Sequence, residues 1–252
     1  MRFTSPGRFK DVGAFRAHWR GLTADLDCVE ELRGGAGPLA RPIEVFGRTL
    51  ANRFAIHPME GWDGTTDGRP SDATLRRWRR FGESGAQLIW GGEAWAVSPE
   101  ARANPNQLCT TSDSVALDSL ARLREAVREG ARSQGDDPDR LVIGLQMTHS
   151  GRWARPTSAG PAPLAACSDR VLDAHFAPNQ VHVLSDDEVA VIIDRYVALA
   201  RLAQQAKFDF VDVKACHGYL IHELLGARER PGAVGGELKK RARVLLDRKS
   251  VV

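Results

Sequence analysis

Apolar residues in this chain gather in short runs, FAIHPM, QLIWGG, LVIGLQM and FDFVDVK, separated by longer stretches in which they recur at helical spacing. The runs predict core strands at 53–57, 87–91, 141–147 and 210–214, and IEVFGRTL ahead of the first predicts two short β-rich segments around a turn. Between the runs, Ser71 or Asp72 reads as the N-cap of a helix carrying Leu75, Trp78 and Phe81 on one side and ending near Gly85. A second helix is predicted over 114–133, with Leu120, Leu123 and Val127 in phase. A third opens on a Ser185/Glu188 capping box and carries Val189, Ile192, Ile193, Tyr196, Val197 and Ala200 on one stripe. Strand-then-helix units in series call for a parallel sheet covered by helices, either a (β/α) barrel or a doubly wound sheet.

Both architectures put their functional groups at the carboxyl ends of the strands. HPMEGWDG, GGEAW, QMTHSGRW and KACHGY, the unusual polar clusters of the chain, each follow a predicted strand and so share one edge. No GxGxxG opens a helix after the first strand, which counts against a dinucleotide-binding unit and favours the barrel. Residues 150–184 are rich in Pro and Ala and lack periodicity, so they are expected to form a lid or wall over that edge. Residues 1–42 read as an N-terminal extension with a helix over 15–31, leaving 43–252 for the barrel.

Composition narrows the classes of function. With 252 residues, 42% of them hydrophobic, the chain can build a sizeable core. A net charge of +3 with acids and arginines interspersed gives no basic stripe for nucleic acid. Without a membrane-length apolar run or an apolar N-terminal signal, a cytoplasmic protein is expected. Cys28, Cys109, Cys167 and Cys216 lie far apart with no CxxC pair, which predicts free thiols and no metal site.

Among the polar residues, Gln146 ends a strongly apolar strand. Its amide offers a donor beside an acceptor, which suits a flat heterocycle such as a flavin's pyrimidine end; a buried glutamine satisfied by backbone is the plainer alternative. Tyr219, after His217 and Gly218 at a tight turn, suits a proton donor, with His217 and Lys214 binding a carbonyl or enolate oxygen; a packing tyrosine is the alternative. Glu60 is either an exposed loop acid or a carboxylate facing a cofactor, and His149 with Arg152 either a solvated pair or part of the site. Trp78 and Trp90 read as core, and His222 and Glu223 as structural.

NRFAIHPM, GGEAWAVSPEAR, LQMTHSGR and HGYLIHELL, in this order and on consecutive predicted strands, resemble the Old Yellow Enzyme family of FMN-dependent NAD(P)H:flavin oxidoreductases, nearest the branch with amine demethylases and dehydrogenases. The resemblance covers residues 43–246. It implies a (β/α)8 TIM barrel with FMN across the carboxyl ends of the strands, NADH or NADPH as electron donor, and a small-molecule substrate. By the same resemblance Pro58, Met59, Glu60, Ala94 and Gln146 face the flavin, Lys214 and His217 hold the substrate's oxygen, and Tyr219 gives the proton. Three positions or regions depart from the family pattern. Lys214 stands where histidine is usual, favouring an anionic oxygen or repelling a cationic amine. Glu60 stands where Thr or Cys is common. The chain also reaches only the fourth strand and the start of the next helix of an eight-stranded barrel, so a truncated barrel is expected. The resemblance implies hydride transfer through FMN, by ene reduction or amine oxidation, and the alternative is an inactive fragment or a subunit completed by another chain such as a homo-oligomeric partner.

Overall fold

The computed structural model describes residues 4–22, 35 and 37–246. Helix α1 (Val12–Arg20) is capped by Asp11, whose side chain accepts the Ala14 N–H; it starts earlier than the helix expected over 15–31 and gives way to a turn at Gly21 and Leu22, while residues 23–31, with Cys28, lie outside the described residues. Strands β1 (Ile43–Val45) and β2 (Arg48–Leu50) pair antiparallel through a turn at Phe46 and Gly47, both at positive φ. Arg48 anchors this hairpin to the amino-terminal ends of the main sheet, donating to the Leu141 carbonyl at 3.1 Å and to Asp209 at 2.8 Å.

The main sheet begins with β3 (Ala55–Ile56), followed by α2 (Asp72–Glu83), which Ser71 and Thr74 cap reciprocally. Next come β4 (Leu88–Ile89), β5 (Ala94–Ala96) and α3 (Asp113–Ser133), then β6 (Val142–Thr148), every residue of which is buried. After β6 the chain forms a small parallel pair, β7 (Leu164–Ala165) and β8 (His182–Val183), with the short α4 (Arg170–Asp173) between them. The segment 150–184, expected as a lid or wall and without periodicity in its sequence, thus carries short elements of its own. Helix α5 (Asp186–Gln205) opens on the anticipated Ser185/Glu188 box, and β9 (Phe210–Val213), α6 (Leu220–Gly226), α7 (Leu238–Arg241) and α8 (Arg243–Leu246) complete the described chain.

The strands pair in the order β3, β4 with β5, β6, β9, all parallel, and the sheet curls into half of a barrel. Four strand positions are occupied as expected, but the second is broken. Ile89 faces Ile143 and Ala94 faces Gln146, so residues 90–93 on this strand oppose only 144 and 145 on its neighbour, a two-residue bulge at Gly91 and Gly92.

Alternate residues point to opposite faces. Ile56, Ile89, Ile143, Leu145, Met147, Val211 and Val213 pack with α2, α3 and α5 around Trp78, Leu120, Leu123, Val127 and Leu199. Helices α2 and α3 cross in close contact, because a Cβ at Gly82 would lie 1.9 Å from the Val127 carbonyl and one at Gly130 2.0 Å from that of Arg79. The concave face carries Gly144, over which the Phe210 ring lies, and Phe210 in turn meets Phe46 and Trp90 at centroid distances of 5.0 Å. Trp90 is thus half-buried on the concave face, not in the core with Trp78 as expected, because strand pleating turns it away from the helices.

Candidate active site

The carboxyl ends of the four strand positions deliver Pro58 to Glu60, Gly91 to Ala94, Gln146 to His149 and Asp212 to Lys214. At Gly91 the strands come so close that an added Cβ would sit 2.9 Å from that of Pro58 and 3.1 Å from that of Gln146. Ala94, fully buried, stands in register beside Gln146, and Gln146 beside Asp212. The Gln146 amide donates to Asp212 at 2.7 Å, and its carbonyl oxygen receives no hydrogen bond from the other described residues. Met59, by contrast, is largely exposed.

A second group gathers around Glu60. The Tyr219 hydroxyl donates to its carboxylate at 2.9 Å, and the Lys214 ammonium lies 3.6 Å from the same oxygen while sitting over the Tyr219 ring at 4.3 Å. Lys214 is buried, and its backbone N–H continues the ladder to the Met147 carbonyl at 3.0 Å. His217 and Gly218 take consecutive left-handed conformations that swing the chain back into α6, so Tyr219 points inward while the His217 ring stays exposed, edge-on to Tyr219 at 6.3 Å. Burial, and after it the Glu60 charge and hydrogen bond, raise the Tyr219 pKa, so the phenol keeps its proton at neutral pH.

Behind these groups lies an ion cluster that was not anticipated from sequence. Glu93, buried in the bulge, accepts the Gly61 N–H and a guanidinium N–H of Arg77, both at 2.6 Å, and Arg77 also grips Asp63 through two bonds of 2.8 and 2.7 Å. Burial pushes the Glu93 carboxyl up to about 7 against the pull of Arg77, whereas hydrogen bonding to Arg77 lowers that of Asp63. The cluster fixes the loop of Glu60 and Gly61 to the second strand. Its members come from three separate elements, so no local motif announces it.

His149 and Arg152 are both buried, which settles the alternative left open by sequence against a solvated pair. The His149 Nδ1 accepts the Gly151 N–H at 3.0 Å, and desolvation lowers its pKa to about 4, leaving it neutral. Arg152 is a cross-brace: it donates to Glu223 at 2.7 Å, to the Cys167 carbonyl at 2.6 Å and to Asp173. Glu223 also accepts the Ala166 N–H at 2.9 Å, and the exposed His222 accepts the Gly218 N–H at 2.8 Å, so both hold structure together. Cys109, Cys167 and Cys216 are free; among the described residues there is no metal-binding group of three His, Cys, Asp or Glu, and no helix long and apolar enough to cross a membrane.

Comparison with known proteins agrees with this geometry. Residues 38–248 match the NADH:flavin oxidoreductase / NADH oxidase family. The NADPH dehydrogenase of Bacillus subtilis (strain 168) is 30% identical over 217 residues, which are 84% of this chain and 59% of that protein. That of Halalkalibacterium halodurans is 30% identical over 208 residues, covering 81% and 56%. Among solved structures, Old Yellow Enzyme from Pichia sp. AKU4542 superposes with a TM-score of 0.69 at 26% identity, over 85% of this chain and 56% of that one. Morphinone reductase superposes at 0.67 and 25%, over 85% and 58%. The chain thus spans less than two thirds of the length of these relatives. With the parallel half-barrel and a family match over most of its residues, this chain belongs to the NADH:flavin oxidoreductase / NADH oxidase family.

Proposed function

We propose that the chain forms the first four strand–helix units of an FMN-dependent oxidoreductase that passes a hydride between NADH or NADPH and a small organic substrate. The observation that carries this reading is the gathering of Pro58, Ala94, Gln146, Lys214, Tyr219 and Glu60 along one carboxyl edge of the sheet. The residues fit the ring of FMN. Gln146 presents an unpaired carbonyl oxygen and an amide N–H beside the small Ala94 and Gly91, the donor and acceptor that a flavin's pyrimidine edge would need. Pro58, Met59, Glu60, Ala94 and Gln146 would hold the group, which when bound supplies two-electron hydride chemistry between a nicotinamide and a carbon or amine.

On the substrate side, Lys214 and His217 would hold an oxygen that gains negative charge as hydride arrives. Tyr219 holds the proton that completes the reduction, with its hydroxyl directed to Glu60 and needing to turn from it to reach a substrate carbon. Ene reduction and amine oxidation or demethylation both belong to this reading; Glu60 beside Lys214 makes the pair neutral overall, so neither anionic nor cationic substrates meet a net like charge. Titrating the purified chain with FMN tests the proposal. Quenched flavin fluorescence and a yellow protein are expected, while a colourless protein that leaves FMN fluorescence unchanged would refute it.

A second reading is that the chain is inactive alone, or a subunit whose barrel is completed by another chain, a homo-oligomeric copy included. The outer edges of β3 and β9 favour it, since neither pairs with another described strand. Light scattering on the FMN-titrated sample separates the two, because a monomer that binds FMN and oxidises NADPH needs no second chain.

A further inference from the structure

Resting on the flavin reading above, we propose that Asp212 is a positioning residue that fixes which way Gln146 presents its amide, so that the site takes a ring whose N–H faces the Gln146 carbonyl oxygen.

Asp212 and Gln146 are register neighbours on β9 and β6, on the concave face, and the amide nitrogen lies 2.7 Å from the carboxylate. An ionised carboxylate has acceptors only, so the amide can meet it only with nitrogen. One N–H is thereby committed to Asp212, leaving the carbonyl oxygen and the other N–H as an ordered acceptor–donor pair. Gln146 is 8% exposed, so solvent has little access to relieve a reversed amide. Gly91 packs closely against its stem, since an added Cβ there would lie 3.1 Å from the Gln146 Cβ. A ring edge with an N–H beside a carbonyl, the imide edge of a flavin's pyrimidine, matches this order, and an N-alkylated edge does not.

Asp212→Asn keeps the shape but supplies a donor, which allows Gln146 to face it with oxygen and reverse the pair. Binding of FMN and of 3-methyl-FMN, followed by fluorescence, should show a preference for FMN in the wild type. That preference should fall about tenfold in Asp212→Asn, or about 1.4 kcal/mol, and return in part in Asp212→Glu. A merely steric exclusion of the methyl group would persist in Asp212→Asn, and that result overturns the inference. The protein without flavin gives an independent readout. In the nitrogen-15 spectrum, one Gln146 side-chain proton, assigned by its loss in Gln146→Leu, should lie downfield in the wild type and return toward ordinary carboxamide positions in Asp212→Asn. Unchanged Gln146 signals overturn the role of Asp212 itself, whereas a wild type that shows this signature yet binds no flavin overturns the reading of the site.

Discussion

Replacing Glu93 by glutamine turns a buried acid into an amide of nearly the same shape and removes one titration from the protein. Burial raises the Glu93 carboxyl from its ordinary 4.5 to about 7, so the folded state binds this proton more tightly than the unfolded state does. The stabilisation is full below pH 4.5, fades as pH rises, and is gone above pH 7. At about 1.36 kcal/mol per pH unit, the change amounts to roughly 3 kcal/mol. Glu93→Gln carries a constant penalty of about 1–3 kcal/mol, because its amide cannot accept from both Gly61 and Arg77 as the carboxylate does. Urea unfolding followed by tryptophan fluorescence, with Trp78 and Trp95 fully buried reporters, gives the stability of both proteins between pH 4.5 and 8. The wild type should lose about 3 kcal/mol relative to the variant across that range. Parallel stability curves would refute the reasoning and mean that Arg77 keeps Glu93 ionised throughout.

At the crossing of α2 and α3, Gly82→Ala should cost about 1–3 kcal/mol by urea unfolding despite alanine's better helix propensity, since its Cβ would meet the Val127 carbonyl. Gly226→Ala, with no atom within 4 Å, should stay within about 0.5 kcal/mol as the control. Arg152→Leu leaves Glu223 and Asp173 without their cation, and a loss of about 3–5 kcal/mol in stability is expected; a loss under about 1 kcal/mol would show that water reaches those acids. If the flavin reading holds, Tyr219→Phe in an FMN-loaded complete barrel should slow oxidation of reduced flavin by an enone about 10²-fold or more while sparing reduction by NADPH, as stopped-flow absorbance will show. Equal effects on both half-reactions would remove Tyr219 from proton transfer.

Much of this architecture is legible in local pattern. The apolar runs mark four strand positions and the capping residues Ser71 and Ser185 mark two helix starts, because each signal depends on neighbours in sequence. Strand ends are less legible: 53–57 narrows to Ala55–Ile56 because pairing with β4 covers only two residues. Distant partners leave no such mark. Arg152 meets Glu223, and Gln146 meets Asp212, only after the strands are side by side. Trp90 reads as core by its residue type, but which face a residue takes depends on register, and as the neighbour of the helix-facing Ile89 it points to the concave side.

That bulge also limits how this stretch can change in length. Because the surplus between Ile89 and Ala94 is an even number, Trp95 stays on the helix side with Ile89, while Ala94 keeps its small side chain beside Gln146. Deleting one glycine of the Gly91–Gly92 pair would reverse the parity, turning an indole toward the ring-binding face and a methyl group into the space it leaves. Loss of both would restore an unbroken ladder with every side chain still on its present face. Insertions and deletions here are thus expected to be tolerated in twos and rejected in ones.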